Sequence, residues 1–162
     1  RRPILEAVRA TGKPIILSTG MATLHEIAQA ENVLWDDDLT LLHCTSSYPC
    51  PIEQVNLRAM TELRDTFRTP VGYSDHTLGI TVAIAAAAMG ASVIEKHLTL
   101  DRAAVGPDHL SSIEPHDFRV MVSAIRTVEE ALGDGMKCVM PSEAKLREQW
   151  HEPIAIDSPS GY

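Results

Sequence analysis

Apolar positions along the chain switch repeatedly between helical and extended spacing. Over Pro3–Thr11, Ile4, Leu5 and Val8 share one helical face, and Gly12 is placed to end the helix. A short apolar run, Pro14–Leu17, follows and gives way to Ser18, Thr19 and Gly20. The next helix is predicted over Thr23–Leu34, starting at Ala22 or Thr23, with Leu24, Ile27 and Ala28 turned inward. Asp36-Asp37-Asp38 reads as a solvated loop. Leu39–Thr45 then reads as a strand, Val55–Phe67 as a helix, Val71–Ser74 as a strand, and Ile80–Met89 as an alanine-rich helix closed by Gly90. Ser92–Leu98 is the fourth strand. Pro115–Leu132 is a long helix with Met121, Val122, Ile125 and Val128 as its core stripe, broken by Gly133-Asp134-Gly135.

This cadence of strand then helix, without a repeat of fixed period, predicts an α/β fold with a parallel sheet and right-handed crossovers. Polar residues gather just after each strand: Ser18-Thr19-Gly20, Thr45-Ser46-Ser47-Tyr48, Ser74-Asp75-His76 and Glu95-Lys96-His97. Chemistry at the C-terminal ends of several strands is the habit of a (β/α)8 TIM-type barrel, which takes ~250 residues. With 162 residues, the chain is expected to form a partial barrel of about four βα units, strands five to eight. An opening in mid-helix, without an initiator methionine, fits that expectation.

Composition narrows the function classes. A net charge of −8 leaves no basic face for nucleic acid or an anionic membrane. No apolar stretch approaches the roughly 20 residues of a membrane span, and the opening Arg1-Arg2-Pro3 has no signal-peptide pattern. Cys44, Cys50 and Cys138, in no metal-ligand spacing, read as the reduced thiols of a cytoplasmic protein.

The candidate chemistry sits at the ends of two consecutive strands. His76 and His97 would approach one divalent ion from neighbouring strands ~4.8 Å apart. Residues two apart share a face, so Ser74 and His76 point the same way, as do Glu95 and His97, while Asp75 and Lys96 point the other way. Two imidazoles suit an open catalytic metal site, with water and substrate completing the shell. Spacing alone is equally compatible with histidines that are merely hydrogen-bonded. Ser18 and Thr19 offer hydroxyls and amides near a helix start, either as an anion site or as a cap. Tyr48, stiffened by Pro49 and Pro51, is placed to cover a ligand or simply to pack. Gly106-Pro107-Asp108-His109 brings a carboxylate to the same rim or forms a plain turn. His43 reads as a satisfied core histidine, and His25, His116 and His151 as surface residues.

Taken together, GKPIILSTGMAT, LLHCTSSYPCP, VNLRAM, GYSDHTLGI, GASVIEKHLTLDR, GPDHLSSIEP and VEEALGDGMK resemble the sialic acid synthase family, which makes N-acetylneuraminic, legionaminic and pseudaminic acids. The resemblance runs from Gly12 to about Glu143. It assigns residues 1–143 to the C-terminal half of the barrel. Residues 144–162 are expected to be a divergent tail, unlike the family's usual continuation into a small antifreeze-like domain. It implies condensation of phosphoenolpyruvate with an N-acyl hexosamine aldehyde such as N-acetylmannosamine, with release of phosphate. Mn2+ or Mg2+ would be held by His76 and His97, with Glu95 a carboxylate close to it. Ser18 and Ser74 match serines on phosphoenolpyruvate, Ser46 stands where some members carry asparagine, and Tyr48 and Asp108 match sugar-holding residues. The full-length protein is expected to be a homodimer. The family's phosphate-binding lysines and a proton-handling glutamate lie on earlier strands, so these residues alone are expected to be inactive. The competing readings are a metal-dependent TIM-barrel hydrolase or aldolase and a non-catalytic, self-associating half-barrel.

Overall fold

The computed structural model describes residues 1–34 and 38–152. In the first of two units, Arg1–Leu132, four parallel strands stand side by side in chain order: β1 (Ile15–Ser18), β2 (Leu39–Cys44), β3 (Val71–Asp75) and β4 (Ile94–Lys96). The helices are α1 (Arg2–Arg9), α2 (Leu24–Leu34), α3 (Ala59–Phe67), α4 (Thr81–Ala88) and α5 (Pro115–Leu132).

Strand alternation divides the sheet into two faces with different work. Ile15, Leu39, Leu41, Val71 and Tyr73 form one buried cluster with Ile27 and Leu34 of α2, Met60 and Leu63 of α3, and Ala86 of α4. The intervening residues form the opposite face. There the register sets Ser18 beside Leu42 and Leu42 beside Gly72, and one pleat further on Cys44 beside Ser74 and Ser74 beside Glu95. Gly72 is required by close packing: a Cβ there would lie 2.4 Å from the Val93 carbonyl oxygen and 2.6 Å from Leu42 Cδ2. Alanines suit α4 for the same reason. Ala83, Ala86 and Ala87 are buried, and Ala83 shares a second cluster with Ile113 and Met121 of α5.

Several expectations shift. The strand predicted over Ser92–Leu98 is cut to three residues, because β3 turns away after Asp75. His97 and Thr99 pair instead with Ile113, through a bridge from Leu98 to Ile113. The helix predicted from Val55 begins at Ala59. Ile52–Gln54 forms a separate 3-10 turn, Asn56 takes a left-handed φ of 49°, and the Val55 carbonyl is engaged by His43 Nε2 at 2.7 Å. That bond satisfies His43 as expected. Leu24 and Val122, predicted as core, are exposed at the edges of their helical faces. Of the Asp36–Asp38 run, Asp36 and Asp37 lie outside the described residues; the Asp38 carbonyl accepts the Ile15 N–H.

The second unit begins at Gly133. It contains a 3-10 turn at Pro141–Glu143 and a helix, α6 (Ala144–Trp150), that was read from sequence only as tail. Residues 153–162 lie outside the described residues.

Candidate functional site

The face of the sheet away from the helices opens into a cleft of about 270 Å3 at the strand C-termini. Ser18 and Gly20 enter it from the end of β1, Cys44, Ser46 and Tyr48 from β2 and its loop, and Ser74, His76, Glu95 and His97 from β3 and β4. A larger groove of about 660 Å3 between α1 and α2 holds Arg1, Arg2, Glu6 and Arg9, with an exposed Arg2–Glu6 pair at 2.8 Å, and none of these predicted residues.

The two histidines meet as the alternation argument requires. Their ring centroids are 5.2 Å apart with planes at 86°. Tyr48 follows β2 on a loop containing a cis Tyr48–Pro49 bond. Its ring lies 4.2 Å from that of His76 and 5.3 Å from that of His97. Ser74 Oγ donates to Glu95 Oε1 at 2.7 Å and lies 3.3 Å from His76 Nε2. Asp108 Oδ2 lies 3.9 Å from His97 Nδ1. Asp108 has a left-handed φ of 66°, and its carbonyl accepts the Ser111 and Ser112 hydroxyls at 3.0 and 2.7 Å. A non-glycine residue held in that region costs of order 1–3 kcal/mol, so these bonds maintain the carboxylate's direction.

The donor chemistry fits a divalent cation. His76 Nδ1 lies 2.8 Å from the Thr45 carbonyl oxygen. A carbonyl only accepts, so Nδ1 carries a hydrogen, and Nε2 is the ring nitrogen left on the cleft side to ligate. Ser74 has committed its proton to Glu95, so it offers Nε2 an oxygen rather than a hydrogen. Two imidazoles beside a carboxylate are a donor set for an open divalent site completed by ligand oxygens, and they do not by themselves select the metal. Among the described residues no group of three or more His, Cys, Asp or Glu is placed to hold a metal. The cleft lining includes no lysine or arginine.

Other residues take different parts. Thr19 does not face the cleft: its hydroxyl and N–H both donate to the Leu42 carbonyl, at 2.8 and 3.0 Å. The start of α2 is closed by Thr23 and Glu26, whose side chains bond each other's backbone N–H at 2.8 and 3.3 Å. Those bonds hold the Glu26 carboxyl below its ordinary range. Cys44, which the sequence offers only as a reduced thiol, lines the cleft; its place at the end of β2, in register with Ser74, turns it to that face. Burial pushes its thiol pKa up. Burial also raises Tyr48, with Cys44 and the Asp108 and Glu95 carboxylates adding to the effect.

A feature unforeseen in the sequence lies on the opposite face. Lys96 Nζ and Asp75 Oδ2 form an ion pair at 2.9 Å, with both side chains fully excluded from solvent. Removing one partner of such a pair costs ~3–5 kcal/mol. The two residues are direct neighbours in the β3–β4 register.

Comparison with known proteins settles the family. Residues 1–137 match the model of the NeuB family. The chain belongs to the NeuB family. Among its NeuB relatives, N,N'-diacetyllegionaminic acid synthase of Campylobacter jejuni is 50% identical over 148 residues, covering 88% of this chain and 44% of that protein. Human N-acetylneuraminate-9-phosphate synthase is 38% identical over 150 residues, covering 91% and 42%. The crystal structure of an N-acetylneuraminic acid synthetase from Leptospira borgpetersenii, in complex with citrate, superposes with a TM-score of 0.82 at 37% identity, covering 91% and 52%. The four parallel strands are therefore half of a TIM-type NeuB barrel, and the chain spans less than half the length of these two synthases. No helix among the described residues is long and apolar enough to cross a membrane.

Proposed function

We propose that this NeuB half-barrel carries the strand-five-to-eight side of a site that condenses phosphoenolpyruvate with an N-acyl hexosamine aldehyde, giving a nine-carbon ulosonic acid and phosphate. The observation that carries the reading is the cleft itself. Two imidazoles converge beneath a tyrosine ring, beside a row of serine hydroxyls, in a chain related to sugar-acid synthases.

Each residue has a separable task. Ser18, Ser46 and Ser74 contact phosphoenolpyruvate, Ser18 and Ser46 as neutral hydroxyl donors to its carboxylate and phosphate, and Ser74 as a donor only when its proton turns away from Glu95 Oε1. Tyr48 and Asp108 orient the sugar over the histidines, and Glu95 holds the Ser74 proton at Oε1. His76 and His97 would hold Mn2+ or Mg2+, which when bound supplies Lewis acidity toward a carbonyl oxygen. In the overall balance the enol carbon forms a bond to the aldehyde carbon. Water adds at the former enol C–O carbon, and cleavage of that C–O bond releases phosphate. One carboxylate, Glu95, and no lysine or arginine line the cleft, with Asp108 beside His97 at 3.9 Å, so the positive charge for a phosphate trianion must come from outside these residues. On this reading the full-length protein acts as a homodimer, which light scattering tests.

The test is metal-dependent phosphate release from phosphoenolpyruvate with N-acetylmannosamine or a diacetylated hexosamine, using these residues joined to the upstream half of the barrel. Activity is expected there, absent from the 162 residues alone, and lost in His76→Ala and His97→Ala. Activity that persists in both variants refutes the assignment of the histidines.

A further inference from the structure

The buried Lys96–Asp75 pair has no contact with the cleft, yet its bonds bracket the cleft's two imidazoles. Lys96 Nζ donates to Asp75 Oδ2 at 2.9 Å and to the Thr77 carbonyl at 2.5 Å. It therefore grips the chain on both sides of His76, while His97 is its own next neighbour. The other carboxylate oxygen is also engaged. Asp75 Oδ1 accepts the Thr77 N–H at 2.9 Å, the Thr77 hydroxyl at 2.8 Å and the Tyr73 hydroxyl at 3.4 Å. Thr77 and Asp75 are fully buried, so no water substitutes for these bonds.

We infer that Lys96 and Asp75 are positioning residues: one buried ammonium fixes the backbone on either side of His76 relative to His97, and so sets the spacing of the two imidazoles for a shared divalent cation. This rests on the reading of those histidines as a metal pair. A purely architectural link between β3 and β4 is already made by the ladder hydrogen bonds and by Gly72 packing under Val93. Beyond the last ladder position the His76 carbonyl accepts the Cys50 N–H and the ring Nδ1 meets the Thr45 carbonyl, both at 2.8 Å, which ties His76 to β2's loop. The ammonium adds the tie toward β4, the strand that leads into His97. A backbone carbonyl held on a cation loses its freedom to turn, and the imidazole between Asp75 and Thr77 loses it too.

The experiment measures Mn2+ alone on the full-length protein, by titration and by pulsed electron paramagnetic resonance, in which each coordinated imidazole nitrogen modulates the echo. Lys96→Met is expected to weaken Mn2+ binding about 10–100-fold, the range found when outer contacts of a metal ligand are removed, and to reduce the signature to one imidazole. Asp75→Asn/Lys96→Met leaves no unpaired buried charge and should show the same change, so the measurement survives if the single variant does not fold. Leu63→Ala, in the core beneath the helices, serves as a comparably destabilised protein and should keep wild-type affinity and both imidazoles. A folded double variant with wild-type affinity and a two-imidazole signature overturns the positioning role. Wild-type protein without imidazole modulation, or unchanged Mn2+ binding in His76→Ala and His97→Ala, overturns instead the metal reading beneath it.

Discussion

Replacing Gly20 with alanine tests how closely the tips of β1 and β2 approach across the cleft. The added Cβ would stand 2.3 Å from Ser46 Oγ and 2.8 Å from Cys44 Sγ, while Ser46 Cβ, at 3.6 Å, would be in ordinary contact. The serine can yield only by swinging its hydroxyl away, and the buried thiol has little room to follow. Overpacking of this kind costs about 1–3 kcal/mol. Glycine-to-alanine replacement also returns about 0.4–1 kcal/mol by narrowing the unfolded ensemble, because the Gly20 φ lies outside the left-handed region. A net loss of about 1–2 kcal/mol corresponds to a fall in Tm of about 2–8 °C for a chain of this size. Displacing the Ser46 hydroxyl from a bound ligand adds the loss of one neutral hydrogen bond, about 0.5–1.5 kcal/mol. That is a rise of about 2–10-fold in KM for phosphoenolpyruvate. Adding Ser46→Ala should recover part of the Tm without restoring KM. Thermal unfolding of these residues followed by circular dichroism measures the first, and phosphate-release kinetics of the same variants in the full-length protein measures the second. Unchanged Tm and KM in Gly20→Ala would show that the two strand tips do not meet as described.

Two further outcomes follow from the same geometry. Tyr48→Ala removes the ring tilted against both imidazoles and should raise KM for the sugar about 2–10-fold, the worth of one aromatic contact, while leaving KM for phosphoenolpyruvate nearly unchanged; an equal rise in both would remove Tyr48 from the sugar side. Burial holds the Cys44 thiol and the Tyr73 phenol above their ordinary values, and the Asp75 carboxylate adds to the shift at Tyr73. Both groups are neutral in the fold, so their contribution is complete below the unfolded values of about 8.5 and 10 and is lost as pH rises through them toward the folded ones. Urea unfolding at neutral pH and near pH 10.5 should show the decline, and Tyr73→Phe should flatten its upper part; a flat profile in the parent protein contradicts the burial argument.

The sequence exposed the site better than it exposed the frame around it. His76, His97, Ser74 and Glu95 were legible because alternation along a strand is strict: once two apolar runs are strands, parity alone puts these four side chains together. Tyr48 and Asp108 stood out on proline-stiffened loops where a plain packing or turn role was as good a reading, the family resemblance added the sugar, and the structure brings both to the imidazoles. What stayed hidden depended on partners distant in sequence. The true end of β4 is set by Ile113, which lies in a segment that reads as loop. Thr19 was read by residue type, whereas the Leu42 carbonyl decides where its hydroxyl points. Asp75 and Lys96 were placed on the far face, but the register that makes them a pair exists only once the strands are aligned. The start of α3 was lost to Asn56, whose backbone conformation a helical pattern does not reveal.

The alternation between β3 and β4 also bears on how the chain avoids assembling wrongly. Each residue that faces the cleft is followed by one that faces the core, so a slip of a single position would exchange the two sets. A slipped β4 would drive the Lys96 ammonium toward the cleft and carry Glu95 and His97 into an apolar layer, leaving the Asp75 carboxylate buried without its partner. Few mispairings carry so heavy a penalty. The same short stretches that hold the chemistry thus act as a proofreading device during folding: the misaligned sheet is rejected by its own electrostatics before any substrate is present.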